Sequence, residues 1–342
     1  MGHPYRLREI AQQSGLSLAT VDRVMNGRPG VRRNTVAEVE QAIAELDRQA
    51  SQLRIAGRTF LVDLVMQTPE RFSSAVRRAL EAELPHLRPA VIRSRFHLQE
   101  TSSPAEVVRT LERIARKGSQ GVILKAPDAP EVVAAVADLA ERGIPVVTLV
   151  TDLPTSRRVA YVGIDNRAAG ATAAYLVTSW TPDDRGSVLT TLSSTSFRGE
   201  DDRAAGFRET LGSLAPGRAV REVAETDGLD ASMLEAVTVA LDEDPTIDAV
   251  YSIGGGNVAT LEAFRRAGRT CRAFVAHDLD DDNAALLRQG RLSAVLHHDL
   301  RDDARRVCRA IMQAHGAVPG PIASVPSAIQ VVTPYNEPSA FR

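Results

Sequence analysis

Polar and charged side chains that could bind a small molecule follow several short apolar runs of this 342-residue sequence. Carboxylates and guanidinium groups form paired hydrogen bonds, which suit vicinal hydroxyls, and an aromatic ring can cover an apolar face. The chemistry indicated is the binding of a small, highly hydroxylated ligand, or of a charged one held by Arg71 or Arg198. The candidate ligand-binding residues are Gln67, Phe72, Asp128, Arg198, Asp201, Gly255, Asn257, Asp278 and His298.

The sequence offers weaker signals for catalysis, metal binding and phosphate binding. The hydroxyl-rich segment 193–196 lacks the G-x-S-x-G elbow of a hydrolase nucleophile. The His and Asp clusters at 277–282 and 297–299 lack the spacing of helical metal ligands, and the acidic run is typical of a helix N-terminus. Gly254–Gly256 could approach a phosphate but lacks the P-loop lysine and the G-x-G-x-x-G spacing, which favours a tight turn. We predict no enzyme, no catalytic residue, no metal and no cofactor.

Basic residues are unevenly distributed along the chain. Residues 1–59 contain nine arginines and six acidic residues, for a net charge of +3, whereas the remaining 283 residues carry −5. A small basic head on an acidic body is typical of a polyanion-binding module joined to a module with another role. The head is therefore the candidate nucleic-acid-binding part of the chain.

The composition, 44% hydrophobic and 25% charged, is that of a globular protein of two or three domains. Two cysteines, Cys271 and Cys308, are too few for a disulfide framework, which favours reduced thiols, with a redox switch as the alternative. No apolar run approaches the roughly 20 residues of a membrane helix. The N-terminal segment lacks the apolar core of a signal peptide. We therefore expect a cytoplasmic protein.

Three short helices are predicted in the head. The first covers Leu7–Ser14 and ends before Gly15, as helices often end before a glycine. Ser17 is a good N-cap for a second helix over Leu18–Met25, and a loop rich in Gly and Pro precedes a third helix over about Arg33–Arg48. A helix, a glycine-containing turn and a serine-capped helix form the pattern of a helix-turn-helix.

The residues of this predicted helix-turn-helix are specific. The segments LREIA (7–11), SGLS (14–17) and TVDRVMNG (20–27) follow one another at fixed spacing. They resemble the start of LacI/GalR-family transcription regulators, whose pattern is I-A-x-x-A-G-V-S-x-x-T-V-S-R-x-L-N, and the match covers residues 5–47. Asp22 departs from this pattern, which mostly has serine there. Its carboxylate either faces the third helix or biases the choice of base.

The resemblance implies that the second helix lies in the major groove of DNA, with two chains on an inverted repeat. Leu18 and Ala19 lie at the start of this helix and can make only apolar contacts, for instance to thymine methyl groups. Arg23 lies one turn later and can bond bidentately to guanine. The candidates for phosphate contacts are Ser17, Thr20, Asn26, Arg28 and Arg33.

The resemblance continues into residues 50–54, where the letters ASQLR are similar to the hinge helix of the family. It implies that Leu53 wedges into the minor groove at the centre of the operator, which kinks DNA by partial unstacking. The Y-x-P-N segment that precedes the hinge in many members is missing, and LDRQ stands at 46–49 instead. An ordinary linker leucine is the alternative interpretation of Leu53.

From residue 59 onward, short β-branched runs alternate with helical segments. This alternation predicts parallel sheets covered by helices on both faces, with ligands bound beyond the carboxyl ends of the strands. The pattern alone fits two Rossmann-like domains equally well, whereas the resemblance implies a bilobed type I periplasmic-binding-protein-like fold. The predicted strands include Phe60–Met66, Ala90–His97, Gly121–Lys125, Pro145–Val150, Val159–Ile164, Gly186–Leu192, Ala219–Ala224, Ala249–Ile253, Arg272–Ala276 and Ala328–Val332.

The predicted organisation is a small all-α helix-turn-helix domain at 1–47, a hinge at 48–59 and a bilobed α/β sensor and dimerisation domain at 60–342. The first lobe takes about 60–160 and 297–325, and the second takes about 161–296 and 326–342. Two body motifs add to the resemblance. The segment RAAGF at 203–207 matches the R-x-x-G-F pattern, and Asp278 matches the Asp of the G-[FY]-D motif.

The resemblance implies a sequence-specific DNA-binding regulator, commonly a repressor. Its operator affinity would change when a small polar effector, such as a sugar or polyol, binds between the lobes. A phosphorylated sugar, a sugar acid and a nucleobase are the alternative effectors. The partners expected are operator DNA, the effector and a second copy of the chain, in a homodimer or a higher oligomer, with no membrane. A solute-binding protein for transport is the alternative class, against which the basic head counts.

Overall fold

The computed structural model describes residues 5–55, 59–88, 90–182 and 185–338, and of residues 48–55 it describes the backbone only. Within these ranges, no helix combines the length and the apolar character that a bilayer span requires. The chain folds into a helical head followed by two α/β lobes.

The head consists of α1 (Leu7–Ser14), α2 (Leu18–Met25) and α3 (Arg33–Ile55), packed around a core that includes Ile10 and Val21. The predicted helices are confirmed as elements, but the predicted end of the third helix near residue 48 is wrong. The helix α3 continues without a break through the segment assigned to a separate hinge helix. Residues 33–55 contain no glycine or proline that would interrupt it. The side chain of Leu53 lies outside the described residues.

The first lobe is a five-stranded parallel sheet in the order β2-β1-β3-β4-β5. One apolar cluster packs α4 and α12 against it, and a second cluster packs α5 and α6. Its elements are β1 (Thr59–Gln67), α4 (Glu70–Glu83), a 3-10 turn (Leu84–His86), β2 (Val91–Gln99), α5 (Pro104–Lys117), β3 (Gly121–Lys125), α6 (Pro130–Glu141), β4 (Val146–Leu149), β5 (Ala160–Val162) and α12 (Leu300–Ala314).

The second lobe is a six-stranded sheet in the order β11-β10-β9-β8-β6-β7. One cluster packs α7 and α8 against it, and another packs α9, α10 and α11. Its elements are α7 (Asn166–Trp180), β6 (Ser187–Thr191), α8 (Arg198–Leu214), β7 (Val220–Val223), α9 (Asp230–Glu243), β8 (Ile247–Ser252), α10 (Asn257–Arg266), β9 (Ala273–His277), α11 (Asp281–Arg288), β10 (Ala294–His297) and β11 (Gln330–Val332).

The chain passes between the lobes three times, at 163–165, at 298–299 and between α12 and β11. The lobe boundary that the sequence places between 160 and 161 falls inside β5, which belongs wholly to the first sheet. One strand departs from the predicted parallel arrangement, because β11 is antiparallel to β10. The strand β10 ends at the hinge and β11 starts from it, so the two strands run in opposite directions.

Both cysteines lie in apolar surroundings rather than in a reactive site. Cys308 is buried in the core of the first lobe, and Cys271 packs at the edge of a core cluster in the second. Burial raises the pKa of each thiol to about 12. A protonated thiol is a poor nucleophile, so the structure gives the redox alternative no support.

Candidate functional site

A cavity of about 500 Å³ lies between the two lobes. Gln67 and Lys125 reach it from the ends of β1 and β3 in the first sheet. Ser193, Gly254 and His277 reach it from the ends of β6, β8 and β9 in the second. The cavity therefore lies beyond the carboxyl ends of both sheets, where open α/β sheets bind ligands.

The structure brings together four of the nine ligand-binding candidates from the sequence. Gln67, Phe72, Gly255 and Asp278 all line the cavity. The other five are placed elsewhere, and each has a structural reason. They are Asp128, Arg198, Asp201, Asn257 and His298.

Helical phase explains why Arg198 and Asp201 do not line the cavity. The sequence places them in a loop, whereas α8 begins at Arg198. Helical spacing turns Glu200 and Arg203 toward the cavity and leaves Arg198 and Asp201 on the outer side. Arg198 bonds Asp202 instead, with 3.2 Å between Nε and Oδ2.

Asn257 and His298 are buried behind the cavity wall rather than in it. Asn257 Nδ2 donates to Oδ1 of Asn283, a lining residue, at 2.7 Å. His298 is fully buried, and its Nδ1 lies 2.5 Å from Asp303 Oδ2. Both side chains therefore support the wall, and their predicted direct contact with a ligand is replaced by a role one layer behind.

Buried polar atoms without a hydrogen-bond partner surround the cavity. Within the described residues they include Gln67 Oε1, Ser102 Oγ, Arg203 Nη2, His277 Nδ1 and Asp278 Oδ1, and all five residues line the cavity. A buried polar atom left unpaired costs about 1–3 kcal/mol. Clustered donors and acceptors of this kind are what a polar ligand would satisfy.

Backbone strain is concentrated at the same place. Among the described residues, four residues other than glycine have positive φ, namely Val150 (68°), Glu225 (57°), Asp227 (52°) and Asp278 (62°). All four line the cavity. Such conformations cost on the order of 1–3 kcal/mol each and cluster at functional sites, and a β-branched valine there is a clear outlier.

Acidic residues predominate among the charged residues that line the cavity. The lining contains three cationic side chains, those of Arg71, Lys125 and Arg203. A negative lining repels anions and favours a neutral ligand that donates hydrogen bonds to carboxylates. The acidic lining residues are Glu100, Glu106, Glu200, Glu225, Asp227, Asp278 and Asp280.

Arg71 of the first lobe closes the cavity against the second lobe. Its Nη2 donates to Gly228 O at 3.0 Å, and its Nε lies 3.4 Å from Asp280 Oδ2. Burial raises the pKa of Asp280 to about 6. A Cβ at Gly255 would collide with Arg71 Nη2, so this glycine is needed for the close approach of the arginine. The glycine run thus makes room for Arg71.

A backbone hydrogen bond also joins the lobes at Asp128. Its N–H donates to Ser196 O at 2.9 Å across the cleft. A second hydrogen bond between the lobes runs from Gly199 N–H to the side-chain Oγ1 of Thr151, at 2.9 Å. Asp128 therefore contributes its backbone to interlobe contact rather than its carboxylate to the cavity.

Lys125 is a functional candidate that the motif-based prediction missed. Its Nζ donates to Gln67 O at 3.0 Å and lies 4.1 Å from the ring centroid of Phe197. Burial lowers the pKa of Lys125 to about 8, against the opposing charges of Glu200 and Asp278. The rarity of lysine could have marked this residue, because the sequence has only two lysines among 41 Lys and Arg residues and one of them reaches the cleft.

We expect Lys125→Met to stabilise the protein by about 0.5–2 kcal/mol at neutral pH while weakening effector binding, because it removes a buried charge together with a ligand donor. The folded state binds this proton less tightly than the unfolded state. The wild type should therefore gain stability as pH rises from about 8 toward the unfolded pKa, and the variant should not. Chemical denaturation at several pH values measures this. A variant less stable than the wild type at neutral pH would contradict the prediction. The control is Lys117→Met, the same change at an exposed position of α5.

The second site is the exposed surface of the head. The predicted DNA-contacting residues Ala19, Arg23 and Arg33 are exposed, and Leu18 is 53% exposed although it is apolar. Ser17 caps α2 by accepting a hydrogen bond from Thr20 N–H at 3.2 Å, and the two hydroxyl oxygens are 2.8 Å apart. The capping bond uses one acceptor site of Ser17, and the residue is exposed at the start of the helix.

Asp22 bonds two of the predicted phosphate-contacting side chains. Its carboxylate accepts a hydrogen bond from Asn26 Nδ2 at 2.8 Å and lies 3.2 Å from Arg28 Nη1. The structure therefore does not support the role in which this carboxylate faces the third helix, and its effect on the choice of base stays a prediction. The carboxylate holds the C-terminal end of α2 and the following loop.

Replacing Asp22 with asparagine should free Arg28 and remove a charge that repels phosphates. The slope of log K against log salt should then steepen by about one for DNA binding. Equilibrium titrations with one DNA duplex at several salt concentrations measure the slope. Asp47→Asn, an exposed position on α3, makes the same charge change in the head. If both variants change the slope equally, release of Arg28 is not the cause.

The described residues contain no cluster of His, Cys, Asp and Glu arranged to hold a metal ion. The histidine and the aspartates at 277–280 have other contacts. His277 Nε2 bonds Tyr251 Oη at 2.7 Å, and Asp280 caps α11 through Asn283 N–H at 2.7 Å.

Two known families match different parts of this chain. The family described as "Periplasmic binding protein domain" matches residues 64–316, and "Bacterial regulatory proteins, lacI family" matches residues 6–49. The HTH-type transcriptional regulator AglR of Rhizobium meliloti (strain 1021) is 28% identical over 182 residues, 51% of this chain and 49% of that protein. The match thus spans about half the length of this curated relative.

Solved structures resemble the two lobes. The glucose-galactose binding protein GanP of Geobacillus stearothermophilus has a TM-score of 0.72 at 20% identity, over 82% of this chain and 99% of that one. A solute-binding protein of Burkholderia graminis C4D1M, in complex with D-arabinose, has a TM-score of 0.72 at 20% identity, over 80% and 95%. At this identity the similarity shows the fold alone.

Fold and motifs together define the class, a type I periplasmic-binding-protein-like body that follows an N-terminal helix-turn-helix. The chain belongs to the periplasmic binding protein domain family over residues 64–316 and carries a domain of the lacI family of bacterial regulatory proteins at residues 6–49.

Proposed function

We propose that this protein is a transcriptional regulator that binds an inverted-repeat operator as a homodimer and changes its operator affinity when an effector occupies the interlobe cavity. The observation that carries the proposal is one chain with two sites. An exposed capped helix follows a glycine turn in the head, and unpartnered polar atoms surround a cavity in the body. The relative AglR is itself described as a transcriptional regulator.

The effector that fits best is a neutral monosaccharide or polyol. Carboxylates outnumber cations in the lining, which disfavours a phosphorylated sugar or a sugar acid. Phe72 and Phe197 supply a small apolar surface for a sugar ring. Structures similar in fold are complexes with D-arabinose, with D-allose and with α-D-tagatopyranose.

Thermal unfolding against sugars, polyols, sugar acids and sugar phosphates tests the effector class. A ligand present at 100 times its dissociation constant should stabilise the protein by about 2.7 kcal/mol. We expect neutral sugars to raise Tm and their phosphates to have no effect. If only the sugar phosphates stabilised the protein, the effector would be an anion and not a neutral sugar.

Selection of bound duplexes from a random pool tests the DNA-binding function. We expect enrichment of an inverted repeat, and its affinity should change when the stabilising sugar is added. If sugars stabilised the protein but no DNA sequence were enriched, the alternative function, that of a solute-binding protein, would be favoured. The similarity in fold to such proteins is the reason for considering it.

A further inference from the structure

Four residues connect all three passages of the chain between the lobes. We name His298, Asp303, Arg306 and Ser327 the hinge cluster. His298 lies in the second passage, Asp303 and Arg306 lie on α12 of the first lobe, and Ser327 lies in the third passage. Ser327 N–H donates to Gly163 O in the first passage at 2.8 Å.

Short hydrogen bonds hold the hinge cluster together. His298 Nδ1 lies 2.5 Å from Asp303 Oδ2, and Ser327 Oγ donates to Asp303 Oδ1 at 2.6 Å. Arg306 Nη1 donates to Ser327 Oγ at 2.7 Å. His298 and Asp303 are almost completely buried, so water competes little for these bonds.

The hinge cluster reaches the cavity at one point. His298 Nε2 lies 3.7 Å from Asp278 Oδ1, too far for a hydrogen bond, and each of the two atoms lacks a hydrogen-bond partner within the described residues. Asp278 lines the cavity from the second lobe, whereas Asp303 belongs to the first. His298 therefore stands between a carboxylate of each lobe.

We propose that His298 is the positioning residue through which occupancy of the cavity at Asp278 sets the interlobe hinge. The inference rests on the proposed function. An imidazolium donates through both nitrogens. In one arrangement His298 bonds Asp303 alone. In the other it bridges Asp303 and Asp278, which draws the second lobe toward α12. A ligand hydroxyl that orients the Asp278 carboxylate selects between these two arrangements.

The charges around His298 determine when this bridge is available. Burial alone lowers the pKa of His298, but the hydrogen bond to Asp303 and the charges of Asp303 and Asp278 raise it overall. Arg203 also faces His298 and opposes its charge. Burial lowers the pKa of the neighbouring His277 and His297, so both rings are neutral at neutral pH. The bridge should therefore weaken as pH rises through the raised pKa of His298.

The distance between the lobes tests the inference in the full chain. Spin labels at the exposed positions Glu112 on α5 and Glu235 on α9, in a Cys271→Ser, Cys308→Ala background, report this distance. In the wild type we expect the short-distance population to fall as pH rises through the raised pKa of His298. In His298→Gln it should stay constant. His315→Gln, the same change at a histidine outside the hinge cluster, should behave like the wild type.

Two further variants keep the pH comparison decisive. Lys125 has a pKa of about 8 and lines the cavity, so the comparison is repeated in Lys125→Met, where the response must persist. Ser327→Ala breaks the other end of the hinge cluster and should reduce the response, and it decides the question if His298→Gln does not fold. A wild-type distance that does not depend on pH, or a response preserved in His298→Gln and Ser327→Ala, overturns the inference.

A sugar arm separates this inference from the proposed function. The probe is an equimolar mixture of D-glucose, D-galactose, D-arabinose, D-allose and D-tagatose. In the wild type the mixture should raise Tm and shorten the distance, whereas in His298→Gln it should raise Tm only. If the mixture has no effect on the wild type, the proposed sugar response is wrong. The pH comparison still tests the role of His298, because it is made without sugar.

Discussion

Replacing Asp278 with asparagine should lower the affinity for the effector more than about 100-fold. The Asp278 carboxylate lines the cavity with one unpartnered oxygen, and its other oxygen lies 3.9 Å from Arg203 Nη1. A hydrogen bond to a charged group contributes about 1.5–3 kcal/mol to binding. Weakening the bonds of two ligand hydroxyls to this carboxylate would therefore lower the affinity by more than about 100-fold. Asparagine tolerates the positive φ of 62° at this position, so the backbone conformation should be retained.

Isothermal titration with the stabilising sugar measures this decrease in affinity. The effector should also no longer alter the affinity for operator DNA, because the variant does not bind it. The matched control is Asp282→Asn, which removes an exposed carboxylate from the first turn of α11. A variant that binds the sugar as well as the wild type would show that Asp278 is not a ligand-contacting residue.

The head could be predicted from sequence because its signals are local. Gly15 adopts a positive φ of 67° to end α1, and the Ser17 side chain caps α2, so each boundary depends on one residue. The continuation of α3 to Ile55 was missed because the resemblance to a separate hinge helix outweighed the uninterrupted helical sequence.

The sheets of the body could be predicted because a buried parallel strand reads as an apolar run, and β3 and β4 are buried at every position. This apolar pattern does not show whether a strand at the edge of a sheet is parallel or antiparallel to its neighbour. The antiparallel arrangement of β11 follows from the return of the chain through the hinge after α12, which depends on contacts distant in sequence.

The cavity was predicted in position but only partly in composition. The sequence correctly indicates the loops after the strands and Arg71 in the first turn of α4, but not Glu200 and Arg203, which come from the first two turns of α8. Which side of a helix faces the cavity depends on where the helix begins, and a shift of one residue rotates a side chain by about 100°. Asp278 could be identified because a motif fixed it, whereas no motif marked Lys125.

Replacing Arg23 with alanine should weaken binding to the selected operator by about 1–3 kcal/mol and relax the base preference at one position of each half-site. Arg23 is exposed in the last turn of α2, and the structure gives its side chain no hydrogen-bonded or ion-paired partner within the described residues, so its guanidinium can reach a base without breaking a native interaction. Binding to unrelated duplexes should change much less, because phosphate contacts supply most of that affinity. Titrations with the operator and with single-base variants measure both quantities.

Arg33→Ala separates reading of bases from attraction to phosphates. It removes the same charge from an exposed position at the start of α3. Because Arg33 is expected to bind a phosphate, this variant should bind all DNA sequences more weakly to the same extent, and its salt slope should be smaller by about one. If Arg23→Ala behaves in the same way, with base preference intact at every position, then Arg23 binds the DNA backbone and the reading of the operator falls to Leu18 and Ala19.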